Sequence, residues 1–158
     1  MYYTWINTAV GKILIAGDDA GLRTISFEKG KYSAEIGIDW KKDEVFLKNA
    51  VDQLKSYFAG ELKKFDLPLC PEGTPFQKSV WKALLNIPYG KTASYKDIAV
   101  AVKNPKAVRA VGGANGRNPI PIVIPCHRVI SSDGKMGGYS SGLDIKERLL
   151  KLEREHCL

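Results

Sequence analysis

Ser94-Tyr-Lys-Asp-Ile-Ala-Val-Ala-Val-Lys-Asn-Pro-Lys-Ala-Val-Arg-Ala-Val-Gly-Gly-Ala114 reads as two short helices separated by a turn. Ser94 is a good N-cap, and Asp97, three residues on, is a weaker capping-box partner. Ile98, Ala99 and Val102 take the buried positions. Asn104-Pro105 opens the next helix, from Pro105 to about Gly113. Ala107, Ala110, Gly112, Gly113 and Ala114 leave that helix nearly bare, and Arg109 projects from it. Each glycine costs about 1 kcal/mol relative to alanine inside a helix. Two reasons for the bareness are open: tight packing on another helix, or close approach of a bulky ligand such as a nucleic-acid backbone. A helix-turn-helix and an ordinary small helical bundle both fit.

Upstream, Thr74 caps a further helix, with Pro75 in its first turn and Val80, Trp81, Leu84 and Leu85 as its apolar stripe. Downstream lies Pro121-Ile-Val-Ile-Pro-Cys-His-Arg-Val129. The prolines bias Ile120 and Ile124 towards extended backbone, so Cys126 is expected to leave a rigid, strand-like run. Ser131–Gly138 reads as a hairpin or wing. Leu143–Glu155 reads as a final helix, with Ile145, Leu149, Leu150 and Leu152 apolar.

The other half of the chain reads differently. Tyr2–Asn7, Lys12–Ala16 and Leu22–Phe27 are β-rich and separated by turn residues, which predicts an antiparallel meander. Asp43–Ala59 carries a helical stripe ended by Gly60, and Phe65–Leu69 is a candidate short strand. Pro68, Pro71, Gly73 and Pro75 form a breaker-rich link. The charge changes at the same place. Residues 1–73 hold 10 basic and 11 acidic side chains, and residues 74–158 hold 14 and 6. We therefore expect an α/β domain over 1–73 and a mainly helical, polyanion-binding domain over 74–158. A basic solvated face is the competing reading of the charge.

A hydrophobic content of 44% supports a packed core and argues against disorder. No apolar run has the length of a membrane span, and the N-terminus lacks the pattern of a secretory signal. The expected setting is cytoplasmic (the nucleoid of a prokaryote) or nuclear. Three cysteines, Cys70, Cys126 and Cys157, and two histidines, at long spacings, argue against a disulfide framework or a zinc ribbon. Cys126 is set apart by its neighbour His127. A thiol attacks as thiolate and needs a base or a positive environment. Side chains of adjacent strand residues point apart, so His127 could serve only across a turn or a bridging water. Glu153 could orient the imidazole. From these residues alone, a buried structural cysteine beside a hydrogen-bonded histidine stays open.

Pro125-Cys-His-Arg-Val129 resembles the active-site signature of the O6-alkylguanine-DNA alkyltransferases. Arg109-Ala-Val-Gly-Gly-Ala114, Asn118-Pro119, Ser94-Tyr95, Gly138-Tyr-Ser140 and Lys146-Glu147 stand in that family's order and spacing. The resemblance covers most of residues 74–153. It implies a ribonuclease-H-like α/β N-terminal domain with a small antiparallel sheet and a helix, then a helical, winged-helix-like C-terminal domain. It further implies a single-use reaction: Cys126 takes an alkyl group from guanine O6 in duplex DNA (with O4-alkylthymine as a second candidate), without cofactor or metal, in a monomer. The implied roles are His127 as base through water, Glu153 orienting it, and Asn118 bracing the active-site turn. Tyr95 would donate to the departing guanine at N3. The Ser140 backbone N–H would meet O6, the Val129 carbonyl the exocyclic amine, and Tyr139 would line the pocket. Arg109 would fill the gap left by a flipped base, with Ala107, Ala110, Gly112 and Gly113 in the minor groove. Ser94, Tyr95 and Arg128 join the expected DNA-facing set.

Two departures stand out. Some relatives hold a structural zinc in the N-terminal domain, but residues 1–69 contain no Cys or His. Ser141 stands where many relatives have glycine at the pocket mouth, which bears on bulky alkyl groups. Three other classes compete: a lesion-binding relative without chemistry, which would lack Cys126; a multiple-turnover Cys-His hydrolase; and a transcription factor, whose reading helix should carry polar base-reading side chains.

Overall fold

The expected meander forms. Tyr2–Thr8 (β1), Gly11–Asp18 (β2) and Gly21–Phe27 (β3) pair antiparallel in sequence. β2 is central, and its Ile13, Leu14, Ile15 and Ala16 are all buried, so both faces of the sheet are covered there. Lys41–Lys42 (β4) adds a short parallel edge to β1, giving the order β3-β2-β1-β4. The coordinates are a computed structural model and describe residues 1–29, 33–139 and 142–157.

Helix α1 spans Lys48–Phe58, five residues shorter at its start than the periodicity predicts. Asp43 explains the difference. Its N–H is pinned to the Tyr3 carbonyl beside β4, and its side chain accepts from Phe46 N. Those bonds hold residues 43–46 in a separate turn. Residues 65–69 form no full strand. They cross the start of β3, where Leu22 N donates to Pro68 O and Cys70 N donates to Leu22 O, both at 2.8 Å. Gly21 permits the crossing: its φ is +139°, and a Cβ there would lie 2.6 Å from Pro68 O.

In the second half, α2 (Pro75–Leu84) and α3 (Tyr95–Ala101) each begin with a complete capping box, Thr74 with Gln77 and Ser94 with Asp97. Val80, Trp81 and Leu84 of α2 are buried, but Leu85 is 47% exposed, because it already caps the helix rather than continuing its stripe. Helix α4 spans Val108–Gly116, three residues later than expected. Lys103 (φ 61°) ends α3 in left-handed geometry, and a turn closed by Ala107 N on Asn104 O absorbs Pro105. Trp81 Nε1 on Ala114 O at 2.9 Å ties α4 to α2. Helix α5 covers Leu143–His156.

The proline-bracketed run is not a strand. Ile124 N donates to Ile120 O at 2.9 Å, and Ile122 sits at φ 76°. Pro121 and Pro125 have no N–H to place in a ladder, and the Asn118 side chain supplies partners instead. Its Nδ2 donates to Ile124 O at 2.8 Å, and its Oδ1 accepts from Ile120 N at 3.0 Å. A β-branched residue at positive φ costs roughly 1–3 kcal/mol. Burial of Ile120, Ile122 and Ile124 offsets that. Cys126–Arg128 then form a 3-10 turn, and Val129–Ile130 (β6) pair in parallel with Ala93–Ser94 (β5). This pairing sets the start of α3, and hence Tyr95, beside the cysteine turn. Residues 131–135 close a turn, Ser131 N on Lys135 O, rather than a hairpin ladder. One hydrophobic cluster runs from Ile6 and Ile15 through Leu54 and Trp81 to Ile124 and Leu149, joining both halves.

Candidate active site

Cys126 is 3% exposed, at the start of the 3-10 turn. The turn bends the backbone so that adjacent side chains no longer oppose one another as on a strand. The Asn115 Nδ2 donates to Cys126 O, and Tyr139 Oη stands 3.9 Å from Cys126 Sγ. Burial pushes the thiol pKa up; hydrogen bonds from Asn118 and Tyr139 and the Lys146 charge pull against it without winning. The resting sulfur is therefore a thiol, and it needs a base.

His127, the next residue in the chain, is the candidate. It is fully buried, and Nε2 lies 2.6 Å from Glu153 Oε2. Burial lowers the imidazole pKa, outweighing the Glu153 carboxylate that raises it. Burial alone would raise the Glu153 pKa, but hydrogen bonds and charge from His127 and Arg128 bring it down to about 2. The carboxylate is ionised and only accepts, so the neutral ring carries its proton on Nε2. Nδ1 is left with a lone pair, buried and without a hydrogen-bond partner among the described residues.

Glu153 gathers five donors. Besides His127, Oε2 accepts from Tyr57 Oη at 2.7 Å and Arg128 Nη2 at 3.0 Å; Oε1 accepts from Arg128 Nε at 2.7 Å and Gly90 N at 3.2 Å. Arg128 also donates to Ile87 O and lies over the Tyr89 ring. This corrects the expectation that Arg128 faces DNA: it is 7% exposed and its guanidinium is spent on Glu153. The other eight basic residues between 74 and 128 are exposed.

Lys146 is a third buried charge, after Glu153 and Arg128. Its Nζ donates to the carbonyls of Val129 at 2.6 Å, Met136 and Gly138 at 3.0 Å. Burial lowers its pKa to about 8, opposed by Cys126. The ammonium thus stitches the Val129 carbonyl to the loop that carries Tyr139. Tyr95, half-buried at the start of α3, is hydrogen-bonded to the Gly138 backbone, and burial raises its pKa, so the phenol stays protonated. The Ser94 hydroxyl is used as the α3 cap. Ser140 and Ser141 lie outside the described residues.

Of the expected residues, Cys126, His127, Glu153, Asn118, Tyr95, Val129 and Tyr139 come together around one thiol. Tyr57, Asn115 and Lys146 share the site and were not singled out for chemistry from the sequence. Lys146 had a legible signal. Lys146, Leu149, Leu150 and Glu153 are the buried face of α5 at i, i+3, i+4 and i+7, so two charges occupy positions that a stripe gives to leucine. Tyr57 had none: it sits on the apolar stripe of α1, where a buried aromatic is ordinary.

Arg109, Ala110 and Gly113 lie exposed on the outer face of α4, whereas Ala114 is buried and bonded to Trp81. A Cβ at Gly113 would meet nothing within 4 Å, and one at Gly112 would touch only the Tyr95 ring at 3.9 Å. Internal packing therefore does not require Gly112 and Gly113.

The 6-O-methylguanine DNA methyltransferase ribonuclease-like domain matches residues 1–71, and the DNA binding domain of the same methyltransferases matches residues 75–155. The chain belongs to the 6-O-methylguanine DNA methyltransferase family. Its relatives include the methylated-DNA–protein-cysteine methyltransferase of Methanosarcina barkeri, 59% identical over 99% of both chains. The constitutive enzyme of that name from Bacillus subtilis is 47% identical over 97% of this chain and 95% of its own. Among solved structures, Mycobacterium tuberculosis OGT in complex with DNA superposes with a TM-score of 0.91 at 45% identity, over 99% of this chain and 94% of that one. The methyltransferase fold, a small-sheet domain followed by a helical one, is the fold described above. No described helix is long and apolar enough to cross a membrane.

Proposed function

We propose that this methyltransferase repairs DNA by direct reversal, moving an alkyl group from guanine O6 to Cys126 in a single turnover. The observation that carries this reading is the buried Cys126 thiol in one turn with the buried His127 that holds Glu153, together with a helix, α4, whose Gly113 meets open space. The Cys126 proton passes to His127 Nδ1 through a water as the sulfur attacks the alkyl carbon in line. The S–C bond forms, the C–O6 bond breaks, and its electron pair stays with guanine. Tyr95, kept protonated by burial, donates a hydrogen bond to N3 and stabilises the charge that builds on the departing base. The resulting thioether has no acyl carbon for water to attack, so the cysteine is consumed.

Asn118 holds the turn that aims the sulfur, and Tyr139 walls the pocket. The Val129 carbonyl keeps one lone pair for the exocyclic amine, the other being held by Lys146. The family resemblance gives Ser140 N–H to O6 and Ser141 to the pocket mouth. The base reaches this site only when flipped, at a cost of a few kcal/mol. Arg109 fills the gap, while Ala107, Ala110, Gly112 and Gly113 let α4 enter the narrow minor groove. Exposed lysines such as Lys96 and Lys106 suit phosphate contacts. We divide the chain at residue 73 and read it as a monomer acting in the compartment that holds DNA.

Intact-mass spectrometry after mixing with a duplex carrying one O6-methylguanine tests the reading. One methyl per chain, mapped to Cys126 and ending stoichiometrically, is expected. Continued turnover, or activity in Cys126→Ala, overturns it.

A further inference from the structure

Tyr57 reaches the catalytic carboxylate from the other half of the molecule. It lies on α1 and is fully buried, and its hydroxyl donates to Glu153 Oε2 at 2.7 Å. That same oxygen accepts from His127 Nε2 at 2.6 Å. The Tyr57 ring is fixed by edge contact with Phe58 and Tyr89 and by a tilted contact with Phe65. A buried tyrosine needs an acceptor, but any backbone carbonyl would serve. Here the acceptor is the one oxygen that sets the state of the base.

We propose that Tyr57 is a positioning residue for alkyl transfer, its hydroxyl fixing the Glu153 carboxylate and sharing the charge of Oε2, so that His127 stays neutral with Nδ1 free to take the thiol proton. The inference rests on the alkyl-transfer reading above. Removing the hydroxyl leaves more of the Oε2 charge to His127 Nε2, which favours the imidazolium. A protonated ring has no lone pair on Nδ1, and the base is lost.

The other groups facing this cluster do not substitute. Arg128, from the 3-10 turn, and Lys146, on α5, are cations that push the His127 pKa down and are unchanged by the substitution. Tyr89, from the turn before β5, Cys126 and Tyr139 all have pKa values raised by burial and stay neutral in the range where His127 titrates. Among the described residues, Tyr57 is the one side chain of the N-terminal half bonded to Glu153. The half of the chain without DNA-binding features is thereby given a part in the chemistry.

The test is the pH dependence of the alkyl-transfer rate, measured on full-length protein with an O6-methylguanine duplex. Tyr57→Phe keeps the ring. It is expected to slow transfer about tenfold near neutrality, the equivalent of one lost charge-assisted bond, and to move the acid limb to higher pH. Phe65→Leu, in the same aromatic cluster, is expected to lower stability while leaving the limb in place. Should Tyr57→Phe fold poorly, 3-fluorotyrosine incorporated at position 57 keeps the shape and donates more strongly, so the limb should move to lower pH. Limbs that superimpose for wild type and the position-57 variants, or a limb that moves equally in Phe65→Leu, overturn the inference. Absence of transfer by the wild type would instead overturn the function on which it rests.

Discussion

The Arg128 guanidinium holds the Glu153 carboxylate with two bonds, Nε on Oε1 at 2.7 Å and Nη2 on Oε2 at 3.0 Å, and both side chains are buried. Buried pairs of this kind add little when intact, but losing one partner strands a charge at a cost of roughly 3–5 kcal/mol. Arg128→Met is therefore expected to lower unfolding free energy by about that amount, read from denaturant melts. Arg128→Lys should recover only part of it, because an ammonium cannot reproduce the planar fork or also reach Ile87 O. A variant with wild-type stability and weakened DNA binding would instead place Arg128 at the DNA surface.

The error over Arg128 shows what could and could not be read in the sequence. Net charge correctly marked the second half as basic, yet it counts side chains without locating them. The helix caps at Thr74 and Ser94 and the β meander depend on local spacing, and these were legible; the site residues were read through the family resemblance. The Asn118 turn was not, because two prolines and three β-branched residues mimic a strand. The amide at 118, bonding both ways across the turn, joins the burial of the three isoleucines in making the left-handed Ile122 tolerable. Tyr57 was hidden for a related reason: its partner is 96 positions away in the chain.

Asn118→Ala removes both arms of that brace. The Ile120 N–H and Ile124 O lose their partners, and the strain at Ile122 loses its support. A stability loss of about 2–3 kcal/mol is expected. Alkyl transfer should fall more steeply than DNA binding does, because the turn aims Cys126 while α4 is untouched. Stopped-flow transfer rates beside duplex affinities separate the two; equal losses would count against the brace.

Gly113 makes a prediction of opposite signs. A side chain there meets nothing inside the protein, and glycine weakens a helix interior by about 1 kcal/mol relative to alanine. Gly113→Ala should raise the melting temperature of the free protein. Gly113→Leu should keep the fold but weaken duplex binding by about tenfold or more, since its bulk projects from α4 into the groove. Unchanged affinity in Gly113→Leu would remove the minor-groove placement.

Acid should unfold this protein through its own active site. The Glu153 pKa is depressed to about 2, so its stabilising contribution is complete above the unfolded carboxylate pKa of 4.5 and is lost as pH falls towards 2. His127 is held neutral below its ordinary 6.5, so the unfolded chain gains a proton first, and stability already declines as pH drops below 6.5. Melts from pH 8 to 3 should show both slopes. Glu153→Gln, though less stable at neutrality, should show a flatter acid branch.

Lys146 governs the alkaline side, and there rate and stability part company. Its amine titrates at about 8, against 10.5 when unfolded. Between those values the unfolded chain binds more protons, so the contribution of Lys146 to stability rises with pH. The rate should do the reverse. Above pH 8 the ammonium beside Cys126 is lost, and with it the charge that helps the thiolate form. One of three N–H donors to Val129, Met136 and Gly138 is lost too, loosening the loop that holds Tyr139. Transfer is therefore expected to decline above pH 8 while the protein remains folded. Lys146→Met should be slower throughout and lack that decline. If the wild-type rate instead climbs steadily to pH 10, thiol ionisation alone sets the alkaline profile and Lys146 has no part in it.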